Sequence, residues 1–184
     1  DYDVSDERLQ KLISDIVDHN VTNITLQGGE PLMNPKIILL LQKLSSMDVA
    51  TQISVWITTN GTQYTDNLYS ILSKFKEVKL IFSIDGVGMT NNYLRFPSRW
   101  ADIENNVKKF KELPNATYQI TFVVQNLNVL DVPHIISFSK KYKIHLRLSL
   151  LYAPEYLQLH VLSKNLLQKA LENFEAIDHK EIKQ

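Results

Sequence analysis

The sequence predicts an α/β protein built on a parallel sheet covered by helices, and two observations carry that prediction. Continuous apolar, β-branched segments begin near residues 23, 53, 79, 117 and 144, and each is followed by apolar residues recurring at helical spacing. No proline- or glycine-rich linker separates the units, so residues 1–184 read as a single domain. Strands connected through helices pair in parallel, with both faces of the sheet covered. Periodicity leaves two architectures open, a doubly wound sheet and a curved partial barrel. Either one places its site at the carboxyl ends of the strands.

The elements follow in order. Ser5 is the expected N-cap of a first helix whose Asp6 and Glu7 suit the positive end of the dipole and whose apolar face is Leu9, Leu12, Ile13, Ile16 and Val17. A strand is expected at about 23–27, and Asn34-Pro35 then reads as an N-cap with proline at the first helical position. ISVWITT at 53–59 is continuous and β-branched, which predicts a strand buried on both faces; Leu68, Ile71, Leu72 and Phe75 mark the helix after it. KLIFSID at 79–85 is the third strand, and Trp100, Ile103, Val107 and Phe110 predict a helix from Ser98 to about Leu113. Arg95 falls in an expected loop before Pro97. TYQITFVVQ at 117–125 is the fourth strand, Asp131-Val132-Pro133 opens the next helix, IHLRLSLL at 144–151 is the fifth strand, and a helix over 162–177 ends in residues expected to fray.

Composition narrows the function. The chain holds 20 Lys plus Arg and 20 Asp plus Glu, a formal net charge of zero, so no basic surface for nucleic acid is expected. Apolar runs such as IILLL at 37–41 are far short of a membrane span, no signal-peptide layout opens the chain, and a cytoplasmic location is expected. There is no cysteine, which excludes disulfides, zinc thiolates and iron–sulfur ligation by these residues themselves. The chain opens with Asp1-Tyr2-Asp3 and goes directly into a helix, so a preceding segment is expected.

All five glycines stand just after predicted strands: Gly28 and Gly29, Gly61, Gly86 and Gly88. Singly each reads as a turn residue; together they mark one edge where backbone can approach a ligand. Glu30, Thr58, Thr59, Asn60, Ser83, Asp85, Gln125 and Asn126 lie at the same edge and can hold a polar small molecule by hydrogen bonds. Glu30 and Asp85 on magnesium, as in a metal-dependent lyase, is an alternative, and capping is the bland one. P-loop, GxGxxG, GxSxG and histidine metal motifs are all absent.

Three segments then resemble one family in order and spacing: QGGEPLMNP after the first strand, WITTNGT ending the second and FSIDGVG ending the third. They are similar to the S-adenosylmethionine (SAM)-binding edge of radical SAM enzymes. Through NNYLRFPSRWADIENNVKKFKELPNATYQITFVVQNLNVLDVP the chain resembles the branch that carries a twitch or SPASM extension. The likeness covers residues 22–135 closely and the rest loosely. It implies a partial TIM-type (β/α)6 barrel, here lacking the first βα unit and its CxxxCxxC loop for a [4Fe–4S] cluster, with residues 152–184 leaving the barrel.

The resemblance also implies roles. Gly28, Gly29 and Glu30 would meet the methionyl amino group through their backbone, with Pro31 shaping the turn. Thr59 and Asn60 would line the second strand end, Ser83 and Asp85 would lie near the ribose and methionyl portion, Arg95 would grip the SAM carboxylate, and Gln125 and Leu151 would lie further along, Leu151 on the adenine side. No catalytic residue and no metal ligand is assigned within this chain; the cluster ligands would lie outside it. The implied chemistry is reductive cleavage of SAM to a 5′-deoxyadenosyl radical that abstracts hydrogen from an unknown substrate, fed by an electron donor such as flavodoxin or ferredoxin. A degenerate barrel serving as a binding or scaffold module is the competing expectation, and an edge-strand dimer is expected because a strand is missing from the sheet.

Overall fold

The computed structural model describes residues 5–175. Its elements are α1 (Asp6–Asp18), β1 (Asn23–Leu26), α2 (Pro35–Ser45), β2 (Ser54–Thr59), α3 (Asp66–Leu72), β3 (Glu77–Ser83), α4 (Met89–Leu94), α5 (Trp100–Phe110), β4 (Ala116–Val124), α6 (Val132–Lys141), β5 (His145–Leu150) and α7 (Lys164–Glu175), with short 3-10 turns between them. The strands form one five-stranded parallel sheet in the order β1-β2-β3-β4-β5. Asn23 lies opposite Ser54 and Ser54 opposite Glu77, and the pairing continues in step from there. Adjacent parallel strands in sequence order, each reached through a helix, are the repeated βαβ unit that the alternation predicts.

Local chemistry sets the helix starts. The Ser5 hydroxyl accepts from the Arg8 N–H, Asn34 Oδ1 accepts from Lys36 and Ile37 N–H, and Thr65 Oγ1 accepts from Leu68 N–H. Each satisfies donors that the first helical turn leaves without partners. Pro35 occupies a first-turn position of α2, where its missing N–H costs nothing. Lys36 at the start of α2 pairs with Asp6 at the start of α1, and that bond holds the Asp6 carboxyl below its usual range.

The chain divides into two compact units, Asp1–Phe82 with Ile103–Gln119, and Ser83–Asp102 with Ile120–Gln184. In the first, Leu41, Leu44, Val55, Ile57, Val78, Leu80, Phe82, Val107 and Phe110 are buried, and Phe110 packs against both Phe82 and Tyr64. In the second, Ile84, Ile120, Phe122, Val132, Ile135 and Phe138 are buried, with the Trp100 and Phe138 rings edge to face, centroids 4.8 Å apart. Dry apolar clusters of this size are what hold a parallel sheet, whose faces both need cover.

Several expectations are corrected. Leu12 and Val17 are exposed, so the buried stripe of α1 is the narrower Leu9, Ile13 and Ile16. β2 is not buried on both faces: Val55, Ile57 and Thr59 are, while Trp56 on the opposite face is 44% exposed. Its cross-strand partner Lys79 places Nζ 4.9 Å from the Trp56 ring centroid, a cation–π contact that suits a partly hydrated face. The expected loop before Pro97 contains the helix α4, which is only six residues long and so carries too few turns for a periodic signal. The helix expected over 98–113 is confined to α5, and the one from residue 162 starts at Lys164. Residues 176–184, which include the expected end of that helix at 177 and the expected fraying over 178–184, lie outside the described residues.

Candidate functional site

In the first unit, the polypeptide leaves β1 through Gly28 and Gly29, whose φ values are +92° and +56°. A side chain is strained in either conformation, yet nothing lies within 4 Å of where a Cβ would sit. Backbone geometry therefore demands glycine here, and open space remains beside it. Glu30 follows as the N-cap of the 3-10 turn Pro31–Met33, with Pro31 buried at the first position of that turn.

The Glu30 carboxylate joins the ends of two strands. Its Oε1 accepts from the Thr59 hydroxyl at 2.7 Å and from the Leu32 N–H at 3.3 Å, and its Oε2 accepts from the Asn60 N–H at 2.6 Å. Thr59 closes β2 and is buried, and its Oγ1 also accepts from the Gly61 N–H at 3.1 Å. Asn60 Oδ1 caps its own turn by accepting from the N–H and hydroxyl of Thr62. The first-unit residues singled out by sequence, Gly28, Gly29, Glu30, Pro31, Thr59 and Asn60, thus form one hydrogen-bonded cluster or its immediate flank. Glu30 acts there through its side chain, a role the sequence did not reveal. The buried Asn106 was not anticipated either: its Nδ2 donates to the Gly61 carbonyl at 3.0 Å and braces the same turn.

The remaining candidates belong to the second unit. Ser83 is the last residue of β3, and the segment Asp85-Gly86-Val87-Gly88 leads into α4. Gly86 is needed for a different reason: a Cβ there would lie 2.6 Å from Thr90 Cγ2 and 2.9 Å from the Asn91 nitrogen, so the loop is pressed onto the first turn of α4. Arg95, the C-cap of α4, places Nε 2.7 Å from Asp85 Oδ2. The contact is an ion pair held off the N–H direction, since Arg95 Nε makes no directed hydrogen bond. Gln125 follows β4, and its N–H is held by Asn128 Oδ1 at 2.8 Å. Leu151 follows β5, its N–H donating to the Val124 carbonyl at 3.0 Å.

Nothing in these contacts favours magnesium ligation by Glu30 and Asp85. Both Glu30 oxygens are committed to protein donors and Asp85 to Arg95, and among the described residues no group of three or more His, Cys, Asp and Glu is placed to hold a metal ion. No helix of the described residues is long and apolar enough to cross a membrane.

A family model described as the radical SAM superfamily matches residues 1–139. The chain belongs to the radical SAM superfamily. Among individual relatives it is 25% identical over 143 residues to GTP 3′,8-cyclase of Desulforamulus reducens, covering 77% of this chain and 43% of that protein. It is 25% identical over 135 residues to the sporulation killing factor maturation protein SkfB of Bacillus subtilis, covering 73% of this chain and 32% of that one. In fold it is similar to Streptococcus suis SuiB solved with S-adenosylmethionine, with a TM-score of 0.62 and 18% identity over 94% of this chain and 41% of SuiB. SuiB solved with the precursor peptide SuiA gives a TM-score of 0.61 at 19% identity, covering 94% of this chain and 39% of SuiB. The chain therefore spans less than half the length of each of these relatives.

Radical SAM proteins use SAM and a [4Fe–4S] cluster. The residues here do not fit the cluster, because clusters are held by thiolates and the chain contains no cysteine. The backbone at Gly28 and Gly29 has open space where side chains would stand, which leaves room for a polar ligand such as SAM to approach it.

Proposed function

We propose that this chain is the SAM-binding core of a radical SAM enzyme, a class in which bound SAM supplies a 5′-deoxyadenosyl radical for hydrogen abstraction from a substrate. The observation that carries the proposal is the Gly28-Gly29 turn, left-handed at both residues, open to a ligand and fixed by the Glu30 carboxylate. In this assignment Gly28, Gly29 and Glu30 offer backbone groups to the methionyl amino group, while Pro31, Thr59 and Asn60 shape and hold the turn. Ser83 and Asp85 bind the ribose and methionyl portion, Arg95 takes the SAM carboxylate in its planar fork, and Gln125 and Leu151 bound the far side. The protein's share of the chemistry is to bind and orient the cofactor. Thiolates for a cluster would be supplied from outside these residues. Flavodoxin or ferredoxin as electron donor, a cytoplasmic location and an edge-strand dimer belong to the same proposal.

Titration calorimetry of the intact, anaerobically reconstituted protein with SAM tests it. The wild type binds, and Gly28→Val, which places a branched side chain at a left-handed position in the open space, weakens binding at least about tenfold. Undiminished binding by Gly28→Val, or none by the wild type, overturns it.

A further inference from the structure

The segment after β4, Gln125-Asn126-Leu127-Asn128-Val129-Leu130-Asp131, carries two buried polar side chains that reach the loop after β3. Asn128 is 1% exposed, and its Nδ2 donates to the Asp85 carbonyl at 3.0 Å and to the Val123 carbonyl at 2.9 Å. Its Oδ1 accepts from the Gln125 N–H at 2.8 Å, so three of the four bonds an asparagine amide can make are formed. Asp131, also buried, accepts from the Val87 N–H through Oδ2 and meets His134 Nδ1 at 2.7 Å through Oδ1.

These two side chains act as a pair because of the turn between them. Val129–Asp131 is a 3-10 turn with Asn128 as its N-cap, and the Asp131 N–H donates to the Asn128 carbonyl at 2.9 Å. Across this one turn both side chains reach the same loop, Asn128 through its amide and Asp131 through its carboxylate. One grips the loop on the carbonyl before Gly86 and the other on the N–H after it. On its remaining side the loop is pressed against Thr90 and Asn91 of α4, where no Cβ fits at Gly86. The loop that presents Asp85 to Arg95 is therefore held by side chains distant in sequence rather than by its own turn chemistry.

We infer that Asn128 and Asp131 are positioning residues for SAM, fixing the Asp85–Val87 backbone so that Asp85 and Arg95 are set for the cofactor before it arrives. This rests on the assignment of SAM to that loop. Preorganisation of this sort raises affinity by removing the cost of ordering the loop on binding.

The test uses the intact protein, hydrogen–deuterium exchange at residues 83–88 with residues 54–59 as control, and the dissociation constant for S-adenosylhomocysteine as a stable probe. Asn128→Ala and Asp131→Ala each raise exchange at Val87 and Gly88 about tenfold and weaken S-adenosylhomocysteine about tenfold, with the control segment unchanged. Asp131→Asn, which keeps a carbonyl oxygen for the Val87 N–H, restores most of both. Should an alanine variant lose protection at 54–59 as well, Asn128→Ser, which cannot span both the Asp85 and Val123 carbonyls, decides by the same two readouts. Unchanged exchange at 85–88 overturns the inference, as does raised exchange with undiminished affinity. Failure of the wild type to bind the probe overturns the SAM assignment itself, and is seen before any variant is made.

Discussion

The two units treat their polar groups differently. In the first, the Glu30 carboxylate meets three donors, and Asn106 and Thr59 are buried with partners. In the second, Asn91 is fully buried with both amide atoms unpaired, and Arg95 Nε, Ser98 Oγ and Asn126 Oδ1 are also buried without a hydrogen bond. Of the buried side-chain atoms without a hydrogen bond among the described residues, only Asn115 Oδ1 lies in the first unit, and Arg95 Nε in the second is held by its ion pair with Asp85. Large apolar side chains follow the same division: Met89, Tyr93 and Phe96 of the second unit are each more than three-quarters exposed. A buried polar atom without a partner costs about 1–3 kcal/mol, so the concentration of such atoms makes the second unit the more costly of the two in polar burial. The first unit's turn has its polar groups bonded within the protein; the second unit holds several buried polar atoms that make no hydrogen bond.

Variants can break or sharpen that contrast. Glu30→Ala leaves the Thr59 hydroxyl and the Asn60 and Leu32 N–H groups without their acceptor, and lowers stability by about 3 kcal/mol in urea denaturation. Glu30→Gln, which keeps one oxygen, loses less. Arg95→Ala behaves in the opposite sense: its pair with Asp85 is partly hydrated, so stability falls by less than about 1 kcal/mol while SAM affinity drops about tenfold. A stability loss equal to that of Glu30→Ala would erase the difference between the units.

Asn91→Leu replaces an unsatisfied buried amide by an apolar group of similar size, and raises the ligand-free Tm by the equivalent of about 1 kcal/mol. A lowered Tm would mean that Asn91 finds partners within the fold after all. The last effect is confined to alkaline pH. Burial pushes the Tyr118 hydroxyl, which donates to the Phe110 carbonyl, up to about 12 from 10.0. The folded state thus binds this proton more tightly than the unfolded one, so its contribution is complete below pH 10.0 and is lost as pH rises through about 12. Tyr118→Phe accordingly shows a shallower alkaline loss of stability across that window in pH-resolved thermal melts.

Much of the fold is legible because its signals are local. Caps at Ser5 and Asn34, proline at the start of α2 and five β-branched segments are each read within a few residues, and each fixes the element that the structure shows. The glycines likewise mark strand ends, since a left-handed φ is a property of single positions. α4 escaped because six residues cannot establish a period, and the exposure of Trp56 escaped because a continuous apolar run does not say which face is left open.

By itself the sequence determined the order of the strands and of every helix but α4, the family motifs at three strand ends and the exclusion of cluster ligation by a chain without cysteine. Only the tertiary structure decided that Glu30 binds residues 29 and 30 positions away, and that Asn128 and Asp131 hold a loop 43 and 44 positions away. The physical reason is common to both: such bonds depend on strand register and on which loops the sheet brings side by side. No spacing within the chain encodes those distances until the sheet has formed.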